Sequence, residues 1–332
     1  MNKKIFLSTL LSFSFAFSCL FAAVALLNSA SPALAAEITL TTESNGDVTV
    51  KCDGKLFTRY LLCSKTKPVL YPVIGPEGQA MTRQFPLEEA LPTEKADHPH
   101  QRSVWFTHGD VNGLSFWHEP GSFGNKEVPY GTVKHVEFKK CDGNTIIADN
   151  QWLDMDGQIL LTETREITFG ADDQVRWFDW TSAVTAQQDQ VTLGDTKEGT
   201  FGVRVAGSMK VSSKLGGKIV NCDGLTDDDA WGKPAKWVDY TGPVDGKTVG
   251  IAIFNSPASY GFPTHWHVRG YGLFAANPFG LHDFYGKESG KNGSVTLKKG
   301  ESLTFKYRVV LHTGDTKSAK IADLYEKYEK GE

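Results

Sequence analysis

The sequence predicts an all-β protein, one large antiparallel β-sandwich with a C-terminal helix. Short runs of alternating apolar and polar residues, broken by turn residues, recur well over a dozen times. The tripeptide Cys-Asp-Gly occurs at 52–54, 141–143 and 222–224, and its Asp-Gly supplies the positive φ that tight turns need. Helical spacing is clear only in SAKIADLYEKYEK, where Ile321, Leu324, Tyr325 and Tyr328 fall on one face.

The N-terminus is set aside first. Met1-Asn2-Lys3-Lys4 is a short basic start, Ile5 to Leu27 is apolar or small, and Ala33-Leu34-Ala35 has the small-x-small pattern of a cleavage site. The long apolar run also fits an uncleaved anchor. The cleavage pattern and the lack of a second span favour export with cleavage. The bulky ring in Ala16-Phe17-Ser18 argues against lipid attachment at Cys19. The expected organisation is a signal peptide at 1–35 and a single β-sandwich domain at 36–332. The mature protein is then secreted or periplasmic, with no membrane partner.

Cleavage removes two lysines and no acids, which changes the net charge from −4 to −6. No basic block appears, so nucleic acid is excluded as a partner, because phosphate binding needs clustered Lys and Arg. Nearly 300 residues remain, enough for a large core. No Gly/Ser linker divides them. Cys52, Cys63, Cys141 and Cys222 allow up to two disulfides, with three full pairings. Three of the four flank turns, and turn tips of different hairpins are rarely within bridging distance, so no disulfide network is expected to govern the fold. No CxxC or Cys/His spacing suggests structural zinc.

Taken in order, DVTVKCDGKLFTRYLL reads strand, Asp-Gly turn, strand, and TVKHVEFKKCDGNTIIADNQW repeats that design. QILLTETREITF, QVRWFDWTSAV, KTVGIAIF, GSVTL and ESLTFKYRVVLH are further strands. Ile74 to Pro99, with four prolines, and Asp223 to Pro243, with the acidic run Asp227-Asp228-Asp229, lack alternation and read as loops. Trp152, Trp177 and Trp180, in alternating strands, are expected in the core.

Three stretches carry candidate chemistry. HPHQRSVWFTHGDVNGLSFWHE, from His98 to Glu119, holds four of the nine histidines. Its alternation puts Arg102, Val104, Phe106 and His108 on one face, and Ser103, Trp105 and Thr107 on the other. GDTKEGTFGVRV places Lys197 and Glu198 in a turn before a strand bearing Arg204. HWHVRGYGLFAANPFG puts His265, His267 and Arg269 on one strand face and Asn277 in a turn.

Two His-x-His pairs invite a divalent-metal reading, although Pro99 interrupts one pair and no compact acidic ligand completes it. The other reading needs no cofactor and assigns acid/base work on a polar organic ligand. Histidine titrates near neutrality, and a neighbouring glutamate can be tuned by burial or charge. Tryptophan faces pack on pyranose C–H surfaces, while Arg, Asp and Asn bind hydroxyls. Trp105 and Trp117 are candidates for such contact.

Together HPHQRSVWFTHGDVNGLSFW, TKEGTFGVRV, WVDYTGPVDGKTVGIAIFNSP and WHVRGYGLFAANPFG resemble a family of secreted bacterial proteins. That family is labelled "methane oxygenase PmoA-like" and also carried as a domain of unknown function. The resemblance runs from about Tyr71 to the C-terminus. Methane oxygenase activity is not supported, since such subunits are membrane-embedded and this chain has only its export segment and a soluble β-body. The resemblance implies a galactose-mutarotase-like supersandwich. It marks His98, His100, Arg102, Trp105, His108, Asp110, Trp117, Lys197, Glu198, Arg204, His267, Arg269 and Asn277 as motif positions. The place of His265 is commonly not histidine in that family, which favours His267.

The resulting expectation is an exported carbohydrate-active protein working by proton transfer, as an epimerase, lyase or hydrolase. His100, His108 or His267 would be the acid and Glu198 the base, with Arg102, Arg204 and Arg269 binding hydroxyls or an oxyanion. His98, Trp105, Asp110, Trp117, Lys197 and Asn277 complete the expected binding set. A non-catalytic glycan-binding module and a metal-dependent enzyme are the alternatives.

Overall fold

The computed structural model describes Met1, residues 36–122 and residues 128–331. The expected signal peptide thus falls, apart from Met1, outside the described residues. Ala35–Glu332 is one compact unit. Its chain begins with β1 (Ile38–Thr42), β2 (Val48–Cys52), β3 (Lys55–Ser64), β4 (Lys67–Leu70) and β5 (Val104–His108). Next come β6 (Thr132–Asp142), β7 (Thr145–Leu153), β8 (Ile159–Ala171), β9 (Val175–Ala186), β10 (Gln190–Leu193) and β11 (Gly199–Arg204). Then follow β12 (Lys218–Asn221), β13 (Trp237–Val244), β14 (Lys247–Asn255), β15 (His265–Val268) and β16 (Leu273–Asn277). A short helix α1 (Leu281–Tyr285), β17 (Val295–Lys298), β18 (Ser302–Thr313) and helix α2 (Ile321–Lys330) complete it.

Two eight-stranded sheets form the body. The first runs β1-β2-β3-β4-β5-β11-β16-β15 and the second β12-β13-β14-β18-β9-β8-β7-β6, while β10 and β17 pair separately. The named pairings are antiparallel, so this is the large antiparallel sandwich with a C-terminal helix that the sequence predicts. Alternation explains the inner layer. Phe57, Phe106, Phe201 and Phe274 of the first sheet meet Trp152, Phe169, Trp180 and Phe305 of the second in one core. Ring centroids of Phe57 and Phe169 lie 5.6 Å apart, and those of Phe106 and Phe305 lie 5.3 Å apart. Trp152 and Trp180 are core as expected.

The outer faces are covered differently. On the second sheet, Ile321 and Tyr325 of α2 pack with Val175, Trp237, Phe254 and Val310, and Trp177 joins them half-buried. On the first sheet, Val69, Trp105, Trp117, Leu273 and Ala275 form a separate apolar layer against which Leu87 and Tyr271 pack. A Cβ at Gly202 would come within 2.5 Å of the Trp105 ring, so the missing side chain lets that indole lie across β11.

Asp53-Gly54 joins β2 to β3 and Asp142-Gly143 joins β6 to β7, as expected of hairpin turns. Cys222-Asp223-Gly224 instead turns the chain back locally, with Val220 bridging Thr226. Cys52, Cys63, Cys141 and Cys222 are free thiols. One expectation needs correction: residues 237–243 are strand, not loop. β13 is buried on both faces, so its sequence has no polar side to alternate with.

Candidate functional site

Sheet order brings the three distant stretches side by side, because β11 pairs with β5 on one edge and β16 on the other, and β16 pairs with β15. One row of partners crosses all four strands: Trp105, Gly202, Ala275 and His267. Val104, Phe106, Phe201, Phe274 and Trp266 point into the core. The period of two therefore sends Trp105, Arg204, His265 and His267 to the outer face.

The cluster is built around Tyr271, in the turn between β15 and β16. His98 stacks on its ring at 5.3 Å with an interplanar angle of 14°. The guanidinium of Arg204 lies 4.8 Å from the ring centre and that of Arg269 lies 5.9 Å away. Ring contacts continue from His98 to His100 at 5.8 Å and from His100 to His118 at 4.7 Å. Burial drives His100 well below the usual histidine range and holds His118 at about 4. Asp97 links the group, with Oδ1 3.1 Å from Nδ1 of His98, 3.4 Å from Arg204 and 3.3 Å from Arg83.

Glu198 lies beside these residues. Burial raises its pKa, the nearby Asp283 raises it further, and Lys197 and His98 oppose the shift. Nζ of Lys197 is 3.7 Å from Glu198 and 3.9 Å from Asp283. His267 accepts a hydrogen bond at Nδ1 from the indole N–H of Trp231, at 2.8 Å. Burial lowers His267 to about 3, helped by the charges of Arg269 and Lys197. An indole nitrogen can only donate, so the neutral ring carries its own proton on Nε2. Phe284 of α1 packs against Trp231 at 5.4 Å, and Arg269 stands 5.6 Å over the same indole.

The end of the irregular segment before β5 is gathered by the side chain of Arg83. Arg83 donates to the carbonyls of Lys95, Asp97, His98 and Gln101. It thereby shapes the loop that presents His98 and His100.

Of the expected site residues, His98, His100, Lys197, Glu198, Arg204, His267 and Arg269 come together. The others do not. His108 points into the core, fully buried, with Nε2 2.8 Å from the Gly194 carbonyl and its ring 4.6 Å from Phe279, and burial lowers it to about 4. Arg102 is committed to a two-point pair with Glu119, at 3.0 and 2.6 Å. Trp105 and Trp117 are completely buried 4.9 Å apart and floor the layer under the cluster instead of facing a ligand. Asp110 accepts the Gly113 N–H and shapes a turn. Asn277 is buried between backbone groups, donating to the Thr196 carbonyl and accepting the Phe279 N–H. His265 is held by Tyr285 at 3.0 Å and by Phe284.

Residue reading from sequence missed Tyr271, Trp231, Arg83, Asp97 and Lys67. Tyr271 lay inside a quoted motif, between Arg269 and Asn277, and its turn position was the available signal. Lys67 gave none. It is buried, donates to the Trp117 carbonyl at 3.1 Å, and burial lowers it to about 7. Among the described residues no three His, Cys, Asp or Glu side chains are arranged to hold a metal ion. A cavity of about 490 Å³ lies beside α2, lined by Trp237, Thr241, Asp315 and Ile321. It contains no histidine and sits on the second sheet. The titratable cluster is therefore the better site.

These features define an all-β sandwich protein with a polar, aromatic-walled cluster on the outer face of one sheet. The chain belongs to a family of unknown function, DUF6807, whose model matches residues 47–326. The methane-oxygenase label forms no part of that match. No curated protein matches the chain. Among solved structures it is similar to the galactosidase domain of the alpha-galactosidase-sucrose kinase AgaSK, at 8% identity and TM-score 0.37, covering 83% of this chain and 41% of that one. It is similar to the Slr1438 protein from Synechocystis sp. PCC 6803 at 9% identity and TM-score 0.34, covering 85% of this chain and 96% of the other. For a beta-arabinopyranosidase the values are 10% and 0.30, with 84% and 38% covered. The chain thus spans about two fifths of the two glycosidase chains. At these scores no activity passes from them to this protein.

Proposed function

We propose that the protein is exported, is cleaved near Ala35, and acts on a sugar or glycoside by proton transfer at the Tyr271 cluster. The observation that carries this reading is the meeting of Glu198, His267 and His98 from three distant segments, beside the aromatic rings of Tyr271 and Trp231. Glu198 is the proton-transferring group. Its side chain is 23% exposed, so a ligand can reach it, and burial raises its pKa. His267, a neutral imidazole with its proton on Nε2, would offer that N–H to the ligand, a role its depressed pKa protects. Tyr271, which carries His98 and Arg204 on its ring, and Trp231, which carries Arg269, give the site aromatic walls beside which a pyranose ring packs.

The test is turnover across a panel of glycosides and free aldoses. Glu198→Gln keeps the shape of the side chain and removes the titrating group, so it is expected to cost on the order of a hundredfold in rate. His267→Ala should be equally inactive. The melting temperature of Glu198→Gln should stay close to that of the parent. Unchanged turnover in Glu198→Gln would end the reading. Sugar binding with no turnover, and the same affinity in Glu198→Gln, would identify a non-catalytic glycan binder. Mass spectrometry of the exported protein checks the cleavage, which an intact N-terminus would refute.

A further inference from the structure

Arg269 differs from the other arginines that are not surface-exposed. Arg83, Arg102, Arg165, Arg176, Arg204 and Arg308 each donate to a protein oxygen. Arg269, half-buried at the end of β15, has no acceptor for its guanidinium among the described residues. It has ring partners only: Trp231 at 5.6 Å and Tyr271 at 5.9 Å. Aromatic faces hold the cation in place and leave its N–H donors unused.

The surroundings reinforce the imbalance. Arg83 and Arg204 share the one carboxylate of Asp97. Lys197, 40% exposed, sits within 4 Å of both Glu198 and Asp283, so those acids already have a cation between them. Asp97, Glu198 and Asp283 are thus engaged by other cations, and among the described residues none of them hydrogen-bonds Arg269. A fixed, planar, half-desolvated guanidinium matches a carboxylate through two parallel hydrogen bonds.

We propose that Arg269 seats the carboxylate of the ligand, so that the site takes an acidic sugar, a uronate, in place of a neutral one. This rests on the sugar reading above and narrows it. Glu198 would then work on a ring whose orientation is set by the Arg269–carboxylate pair at one end.

Calorimetric titration of the full chain with methyl glucuronate and methyl galacturonate glycosides, each as the free acid and as its methyl ester, isolates the charge. The acids are expected to bind at least tenfold more tightly than the esters. Arg269→Gln should bring the acids down to the level of the esters, while Arg269→Lys keeps part of the preference. Equal binding of acid and ester to the parent protein would overturn the inference and leave the sugar reading standing. So would an acid preference that survives in Arg269→Gln. Binding of citrate through Arg269, with no sugar bound in either form, would retain the carboxylate seat and remove the sugar. The parent protein carries the acid–ester comparison even if a variant folds poorly.

Discussion

The histidines of this chain separate by what encloses them. His108 is surrounded by the Phe279 ring, the Gly194 carbonyl and the β5–β11 backbone. His108→Ala is expected to lower stability by about 2–4 kcal/mol through a lost hydrogen bond and a cavity. The catalytic rate per folded molecule should not change. Chemical denaturation and turnover together check this, and an inactive variant of parental stability would return His108 to the site. The buried rings also set a pH dependence. His108 and His267 have folded values of about 4 and about 3, below the unfolded value near 6.5. Their contribution is present above pH 6.5 and is lost as pH falls toward the folded values, because the unfolded chain takes up protons that the folded chain refuses. The slope is about 1.4 kcal/mol per pH unit for each proton. His312 has the opposite sign. Burial depresses it, but Asp239 at 3.0 Å outweighs that and raises it, so its contribution is full below pH 6.5 and fades as pH rises through its folded value. Melting temperatures between pH 6.5 and pH 4 should fall steadily, and a flat profile would contradict neutral burial. Alternation correctly grouped His108 with Val104 and Phe106. It could not say that this was the inner face, since both faces of β5 are covered.

Elements with one wet face were the most directly legible, although β5 and β11 were also read as strands while buried on both faces. The apolar stripe of α2 reads directly from Ile321, Tyr325 and Tyr328, and the Asp-Gly turns announce two hairpins. Strand β13, buried on both faces, gives no alternation and reads as loop. Helix α1 is too short, at five residues, to show a period. The helix α2 covers the second sheet on the side away from the candidate site. Ile321→Ala should therefore cost about 2–4 kcal/mol and leave ligand affinity untouched. Urea unfolding paired with a binding titration separates the two effects, and a coupled loss of affinity would mean that the two outer faces communicate.

At the scale of the whole molecule, the order β5-β11-β16-β15 is what assembles the site. Nothing in the local patterns of those strands encodes which neighbours they take. The motifs were visible in the sequence, while the selection among their residues needed the pairing: Trp105, Gly202, Ala275 and His267 share a row only through that topology. Stability here is spread over three apolar layers, and the four thiols are free. Thermal unfolding with and without reductant should give the same midpoint, whereas a midpoint several degrees lower in reductant would reveal a bridge that matters.

The grip of Arg83 on the loop before β5 has a wider consequence. Its main targets are main-chain carbonyls, from Lys95 to Gln101, which every residue type supplies. The path of the loop is thus insulated from much of its own spelling. Substitutions at exposed positions there can redecorate the rim without rerouting the backbone, while a change at Arg83 would loosen the stretch from Lys95 to Gln101, with Glu94 and Arg204 still holding the rest.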